Sequence, residues 1–232
     1  SNAYIKQKKS FGERVSAVVE HYQYPETITT VELQRELEKL NSDASVHGII
    51  IQLPLPEQLD KDALVAHLAP SKDVDGLTPG SRYTPATAKG VLTLLDYYHI
   101  PVAGQSAVVV GRSALVGKPI ALALLPRHAT VTVCHTQTSD LASATKQADL
   151  LVVATGAPGL ITPAHVSPHQ TVIDVGITVL TGADATRRIA GDVDYPAVAP
   201  LVAAISPVPG GVGPMTVASL FENLVEAYKA VV

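Results

Sequence analysis

VVVGRSALVGKP, residues 108–119, decides the fold. β-branched valines run up to Gly111, and a helical composition begins near Gly117. In a turn between strand and helix, the first glycine permits a sharp reversal and a later one lets backbone approach closely. The helix N-terminus then offers N–H groups and the positive end of its dipole to a pyrophosphate. The spacing here is G-x5-G rather than G-x-G-x-x-G, so its weight comes from its place between a strand and a helix.

The same rhythm continues outward. Strands are predicted at Ala107–Val110, Thr130–Cys134, Leu150–Ala154, Thr171–Val175 and Ala203–Ile205, with helices at Gly117–Leu125 and Ser139–Gln147. Strands alternating with helices imply a parallel sheet covered on both faces. Lys89 to Ile205 therefore reads as a Rossmann-like unit, preceded by a helix from Thr87 to Tyr98. The segment before it reads as a smaller α/β unit. It has a helix at Tyr4–Arg14, a β-prone stretch at Val15–Tyr22, a helix capped by Thr30 and a helix at Asp60–Leu68. Between these helices HGIIIQL (47–53) reads as a strand buried on both faces. The expected division is 1–86 with 212–232 against 87–211, joined by the C-terminal helix.

Composition narrows the function. The 232 residues are 47% hydrophobic, enough for a sizeable core. The net charge is −4 with Lys and Arg scattered, which argues against nucleic acid or a membrane surface as main partner. A single cysteine, Cys134, excludes an intrachain disulfide and a multi-cysteine metal site, and suits a cytoplasmic protein.

Charge also bears on the cofactor. The second strand of the Rossmann-like unit ends in Cys134-His135-Thr136-Gln137, without the carboxylate that would bond a ribose 2′-hydroxyl. Arg112 stands in the first turn, where a guanidinium could pair with a 2′-phosphate. NADP is thus favoured over NAD. Tyr4 and Lys8 share a helix face, which alone reads as a solvated basic helix. Gln52 ends an apolar strand at the edge where open α/β sheets bind ligands. Asp73 and Asp75, in KDVDG, read equally as an Asx-type turn, with a metal only weakly suggested. PVPGGVGPMT (207–216) is too rich in Pro and Gly for a helix or central strand, so it reads as a shaped loop before the last helix.

Taken together, YIKQK (4–8), HGIIIQLPLP (47–56), KDVDG (72–76), VVVGRSALVGKP (108–119), ATVTVCHTQT (129–138), ADLLVVATG (148–156), VIDVGI (172–177), GDV (191–193) and PVPGGVGPMT (207–216) resemble the bifunctional methylenetetrahydrofolate dehydrogenase/cyclohydrolase family, in its order and over nearly the whole chain. The resemblance implies oxidation of 5,10-methylenetetrahydrofolate with hydride transfer to NADP, then hydrolysis of the methenyl product to 10-formyltetrahydrofolate. It makes Lys8, Gln52 and Asp75 catalytic, with Lys8 moving protons, Gln52 positioning it and Asp75 recognising the pterin edge. It places Tyr4, Pro209, Gly210 and Gly211 at the folate, and Thr87, Gly111, Arg112, Ser113, Gly117, His135, Thr136, Ile177 and Thr216 at the cofactor. It implies no metal, and a homodimer formed through the nucleotide-binding domains.

Departures accompany the matches. The family's Pro-Cys-Thr-Pro junction is Pro85-Ala86-Thr87-Ala88 here, and its His-Ser is His135-Thr136. Family members carry a further helix and strand ahead of the tyrosine, so the folate domain is expected to be cut short at its N-terminus. A dehydrogenase-only enzyme and a non-catalytic nucleotide-binding or dimerisation fragment stay open beside the bifunctional reading. Lys8 and Gln52 argue against the former.

Overall fold

The computed structural model describes residues 2–181 and 187–231, with side chains from residue 5 onward. In chain order its elements are α1 (Asn2–Arg14), α2 (Thr30–Ser42), α3 (Lys61–His67), α4 (Ala86–Tyr97), β1 (Ser106–Val110), α5 (Gly117–Leu124), β2 (Thr130–Cys134), α6 (Leu141–Lys146), β3 (Leu150–Val153), β4 (Thr171–Asp174), β5 (Thr178–Thr181), β6 (Arg187–Ala190), α7 (Tyr195–Val198), β7 (Ala204–Ile205) and α8 (Val212–Lys229). The fold is α/β, and its contacts divide the chain into two units: residues 1–86 with 217–232, and residues 87–216. The second boundary thus falls after Thr216, five residues beyond the Gly211 expected from the sequence.

The second unit is built on a parallel sheet of strand order β2-β1-β3-β4-β7. β1 and β3 are central, and their valines and leucines are buried on both faces, which is why they read as continuous apolar runs. One face packs Val109 and Val152 against Val91 and Leu95 of α4 and Ile120 and Leu124 of α5. The other packs Val108, Val110, Leu151 and Val153 against Ile161, Val166 and Val198. A two-stranded antiparallel sheet, β5-β6, follows β4 and was not foreseen.

The first unit differs from the sequence reading in three places. Val15–Tyr22 starts as a turn and forms no strand, and His47–Leu53 forms no ladder. Ile49 makes one isolated parallel bridge to Asp73, and its N–H donates to Lys72 O at 2.7 Å. Valine and isoleucine fit a strand, but the strand itself exists only through hydrogen bonds to a neighbour. Helix α2 is capped by Thr29, not Thr30. Thr29 Oγ1 accepts from Glu32 N while the Glu32 carboxylate accepts from Thr29 N, a full capping box. Thr30 instead accepts from Asp60 N at 3.0 Å, tying α2 to the N-cap of α3.

The core of this unit joins Leu37 of α2 and Leu64 and Val65 of α3 to Ile49 and Ile51. A second cluster sets Val74, Tyr83 and Ala86 against Leu220 and Ala227 of α8. The last five residues of PVPGGVGPMT form the first turn of α8 rather than loop. Pro214 is accommodated there because first-turn N–H groups have no intrahelical partner to lose.

Candidate active site

Helix α1 is held by its C-terminal half. Phe11 stacks on Phe221 of α8 with ring centroids 4.9 Å apart, and the Arg14 guanidinium lies over Phe11. One turn earlier Lys8 stands half-buried. Ile49 and Ile51 point into the α2–α3 core, so alternation sends Ile50 and Gln52 to the opposite face, where Ile50 packs with Val74 and Leu224. Lys8 Nζ donates to Gln52 Oε1 at 2.9 Å, and Gln52 Nε2 donates to Leu53 O at 2.9 Å, which fixes the amide's orientation.

The Asp73–Thr78 turn brings the third residue. The Asx reading holds for Asp73. It is fully buried, and its carboxylate accepts from Gly76 N (3.1 Å), Thr78 N (2.6 Å) and Thr78 Oγ1 (2.8 Å). Asp75 lies within electrostatic range of Lys8. Burial pushes its carboxyl up to about 6, the Lys8 charge opposes this, and Asp73 adds to it. Burial likewise lowers Lys8 from the ordinary lysine value, and Asp75 pulls it partly back. Lys8, Gln52 and Asp75, far apart in sequence, thus form one cluster in the first unit. Tyr4 lies on α1, and its side chain is outside the described residues.

The second unit gathers the residues read as cofactor contacts. Gly111 has φ +114°, and a Cβ there would collide with Ala154 O. A Cβ on Gly117 would collide with Gly111 O, so the turn closes on itself only with glycine at both positions. Ser113 Oγ accepts from Val116 N and Gly117 N at 3.2 and 3.4 Å, while Arg112 and Ser113 are exposed. The first donors of α5 are engaged within the turn, since Lys118 N also donates to Ser113 O at 3.0 Å and Pro119 has no N–H, which departs from the open helix start expected from the sequence. Gly111 N donates to Cys134 O at 2.9 Å, in register with the Val110–Cys134 pair. Arg112 therefore leaves β1 beside His135 and Thr136 leaving β2. His135 is partly buried, its N–H donating to Thr138 Oγ1 and its Nδ1 accepting from Gln137 N. Thr136 is exposed. This tight glycine turn and the adjacent exposed guanidinium fit a nucleotide diphosphate bearing a further phosphate.

The remaining candidates lie elsewhere in the same unit. Ile177, exposed just after β4, would meet a Cβ on Gly213 at 3.5 Å, which sets it against the first turn of α8. Thr216 Oγ1 donates back to Val212 O at 3.2 Å. Thr87 is half-buried one turn before Gly90, where α4 closes on Met215 and Thr216 N. Pro209 and Gly210 are exposed, Gly210 with φ +102°, and Gly211 is buried against Pro207 O and Ser206.

Two buried carboxylates and one amide lay outside the sequence reading of the site. Asp192 Oδ2 accepts from Thr155 N, Thr155 Oγ1 and Gly156 N. Asp174 accepts from Gly176 N, Asp192 N and Val193 N, and burial raises its carboxyl. Together they fasten the chain leaving β3 to the chain leaving β4. GDV and VIDVGI were visible as motifs, but nothing in them showed that their carboxylates point inward. Asn223 of α8 donates through Nδ2 to Val74 O and Thr84 O, and no sequence signal marks it.

Residues 85–232 match the tetrahydrofolate dehydrogenase/cyclohydrolase NAD(P)-binding domain, and residues 1–75 match the catalytic domain of that family. The chain is 42% identical to the bifunctional protein FolD of Exiguobacterium sibiricum, over 99% of this chain and 84% of that one. The structure of the bifunctional FolD enzyme of Campylobacter jejuni superposes with a TM-score of 0.94 at 41% identity, covering 100% of this chain and 84% of that one. The FolD enzyme of Trypanosoma brucei, complexed with NADP cofactor and an inhibitor, gives 0.93 at 34% identity over 99% and 82%. This chain belongs to the tetrahydrofolate dehydrogenase/cyclohydrolase family.

Proposed function

We propose that Lys8, Gln52 and Asp75 carry the folate chemistry of this NADP-dependent methylenetetrahydrofolate dehydrogenase and methenyltetrahydrofolate cyclohydrolase. Residues 1–86 with the C-terminal helix serve as the folate domain, and the Rossmann-like unit as the cofactor domain. When bound, NADP supplies the acceptor for the hydride leaving the bridging carbon of 5,10-methylenetetrahydrofolate. Gly111, Arg112, Ser113, Gly117, His135, Thr136, Thr87, Ile177 and Thr216 hold it, the guanidinium of Arg112 favouring the 2′-phosphate. The family resemblance assigns Tyr4, Pro209, Gly210 and Gly211 to the folate.

Hydrolysis rests on Lys8. Water forms an O–C bond at the methenyl carbon, one C–N bond breaks, and one proton is released. A lysine held below its ordinary pKa by burial can take the proton from the attacking water and return it to the departing nitrogen. Gln52 offers a neutral acceptor and keeps the amine aimed without fixing its charge. Asp75 accepts from the N–H edge of the pterin and balances positive charge beside Lys8. The observation that carries this reading is the Lys8–Gln52 bond of 2.9 Å with Asp75 in electrostatic contact.

The reading extends to a cytoplasmic homodimer. Its support is one buried, free cysteine, Cys134, and the resemblance to a dimeric family. No helix among the described residues is long and apolar enough to cross a membrane.

The deciding experiment follows both half-reactions in Lys8→Met. Methenyl hydrolysis falls to background while NADP still binds. Hydrolysis at the parental rate overturns the role of Lys8.

A further inference from the structure

Asp75 sits in a turn gripped at three successive residues. Val74 O accepts from Asn223 Nδ2 at 2.9 Å, Asp75 O accepts from Ala86 N at 3.2 Å, and Gly76 N donates to Asp73 Oδ1 at 3.1 Å. Gly76 has φ +74° and leaves no room for a Cβ against Tyr83 O and Pro85 N, so the 83–85 strand of chain lies directly on the turn. The same Asn223 Nδ2 donates to Thr84 O at 3.0 Å. One amide therefore clasps both walls, the turn that carries Asp75 and the segment lying on it.

Asn223 is fully buried on the face of α8 that presents Leu220, Leu224 and Ala227. A leucine would suit those neighbours and bury more apolar surface. A buried amide costs free energy unless it is bonded, and here its Nδ2 donates to two carbonyls, those of Val74 and Thr84. Lys8 approaches the Asp75 carboxyl from α1, and Asp73 bears on it from its own turn. Tyr83, a further titratable group beside the turn, is engaged through its hydroxyl with Ser71 O. Asn223 is thus a group on the α8 side that holds the main chain of the turn.

We infer that Asn223 is a positioning residue for Asp75, fastening Val74 and Thr84 to α8 so that the Asp75 carboxyl is held beside Lys8. The inference rests on the reading of Asp75 as a folate-binding carboxylate. Loosening the clasp admits water to the carboxyl and moves it from its site without touching the nucleotide turn.

The test compares Asn223→Leu, Asn223→Ser and Asp75→Asn in the whole protein, with 5,10-methylenetetrahydrofolate and NADP varied separately across pH. In Asn223→Leu the KM for folate rises about tenfold while the KM for NADP is unchanged. The acid limb of the profile moves to lower pH, because a hydrated Asp75 returns toward its ordinary value. A merely structural role gives another pattern: kcat falls with the active fraction, and folate KM and pH midpoint stay parental. That result overturns the inference. Asn223→Ser, smaller and still able to donate, is read by the same criteria if the leucine variant does not fold. If Asp75→Asn keeps the parental folate KM, the reading of Asp75 fails and the inference with it. If Asp75→Asn loses folate affinity while both Asn223 variants keep it, only the inference fails.

Discussion

Lys8 and Gln52 are 44 residues apart and share a 2.9 Å hydrogen bond in which the glutamine oxygen is already aimed, because its nitrogen is engaged with Leu53 O. An acceptor without charge suits the proton transfer proposed for this lysine. Replacing Gln52 with glutamate keeps the length and adds an anion. Gln52→Glu should raise the Lys8 pKa, hold the amine protonated and lower methenyl hydrolysis about 10- to 100-fold at neutral pH. The rising limb of the hydrolysis profile, set by deprotonation of Lys8, should move up in pH. Parental hydrolysis with an unmoved limb would count against proton transfer by Lys8.

Asp75 makes stability depend on pH. Its carboxyl is raised from 3.8 to about 6 in the folded protein, so the ionised form opposes folding. The cost is absent where folded and unfolded states are both protonated, grows as pH rises between the two values, and is complete above about 6. Asp75→Asn removes it and should stabilise the protein by about 1–3 kcal/mol at pH near 8, with little gain near pH 3.5. Thermal unfolding at the two pH values checks this, and an equal gain at both would contradict it. The same variant deprives Lys8 of the neighbour that raises its pKa, so labelling of Lys8 by an amine reagent should extend to lower pH.

The glycine turn makes a steric prediction. Gly117→Ala must displace the Gly111 carbonyl, which is backbone and cannot swing aside, and should cost about 1–3 kcal/mol by overpacking. Gly111→Ala adds the strain of φ +114° and should cost more. Each should weaken NADP binding measured by titration. Unchanged unfolding and unchanged affinity in Gly117→Ala would show that the turn has slack.

Asp192 is buried with three donors on one oxygen. Asp192→Ala leaves Thr155 N, Thr155 Oγ1 and Gly156 N without that acceptor and should cost about 3–5 kcal/mol in urea unfolding. A loss under about 1 kcal/mol would mean that water replaces the carboxylate.

Much of the parallel sheet was legible because β1 and β3 are apolar on both faces, and few other elements are. Val15–Tyr22 and His47–Leu53 carry the same residue types yet build no ladder, since strand formation depends on a neighbour that propensity does not report. The β5–β6 ribbon escaped notice because Arg187 and Arg188 make β6 look like loop and both strands are largely exposed. Thr29 lost to Thr30 in the sequence reading although Glu32 three residues on completes a capping box with Thr29 alone. For the site, Lys8 read as one of several surface lysines, and only folding brings it to Gln52 and Asp75. Asn223 was invisible for a different reason: an asparagine on an amphipathic helix reads as solvent-facing until its carbonyl partners are seen, and these lie 149 and 139 residues away.

The division of the chain into residues 87–216 and the two flanking segments has a consequence for biosynthesis. The nucleotide unit is continuous, so everything it needs has left the ribosome once Thr216 has emerged. The other unit is not. Val74 and Tyr83 are made early but find Leu220 and Ala227 only when α8 is synthesised, more than a hundred residues later. Until then the α2–α3 core can form, while the turn bearing Asp75 has neither its packing partners nor its clasp. The carboxylate beside Lys8 is therefore among the last features to take shape on the nascent protein, and a chain released before α8 would carry a formed nucleotide unit and an unfinished Asp75 turn.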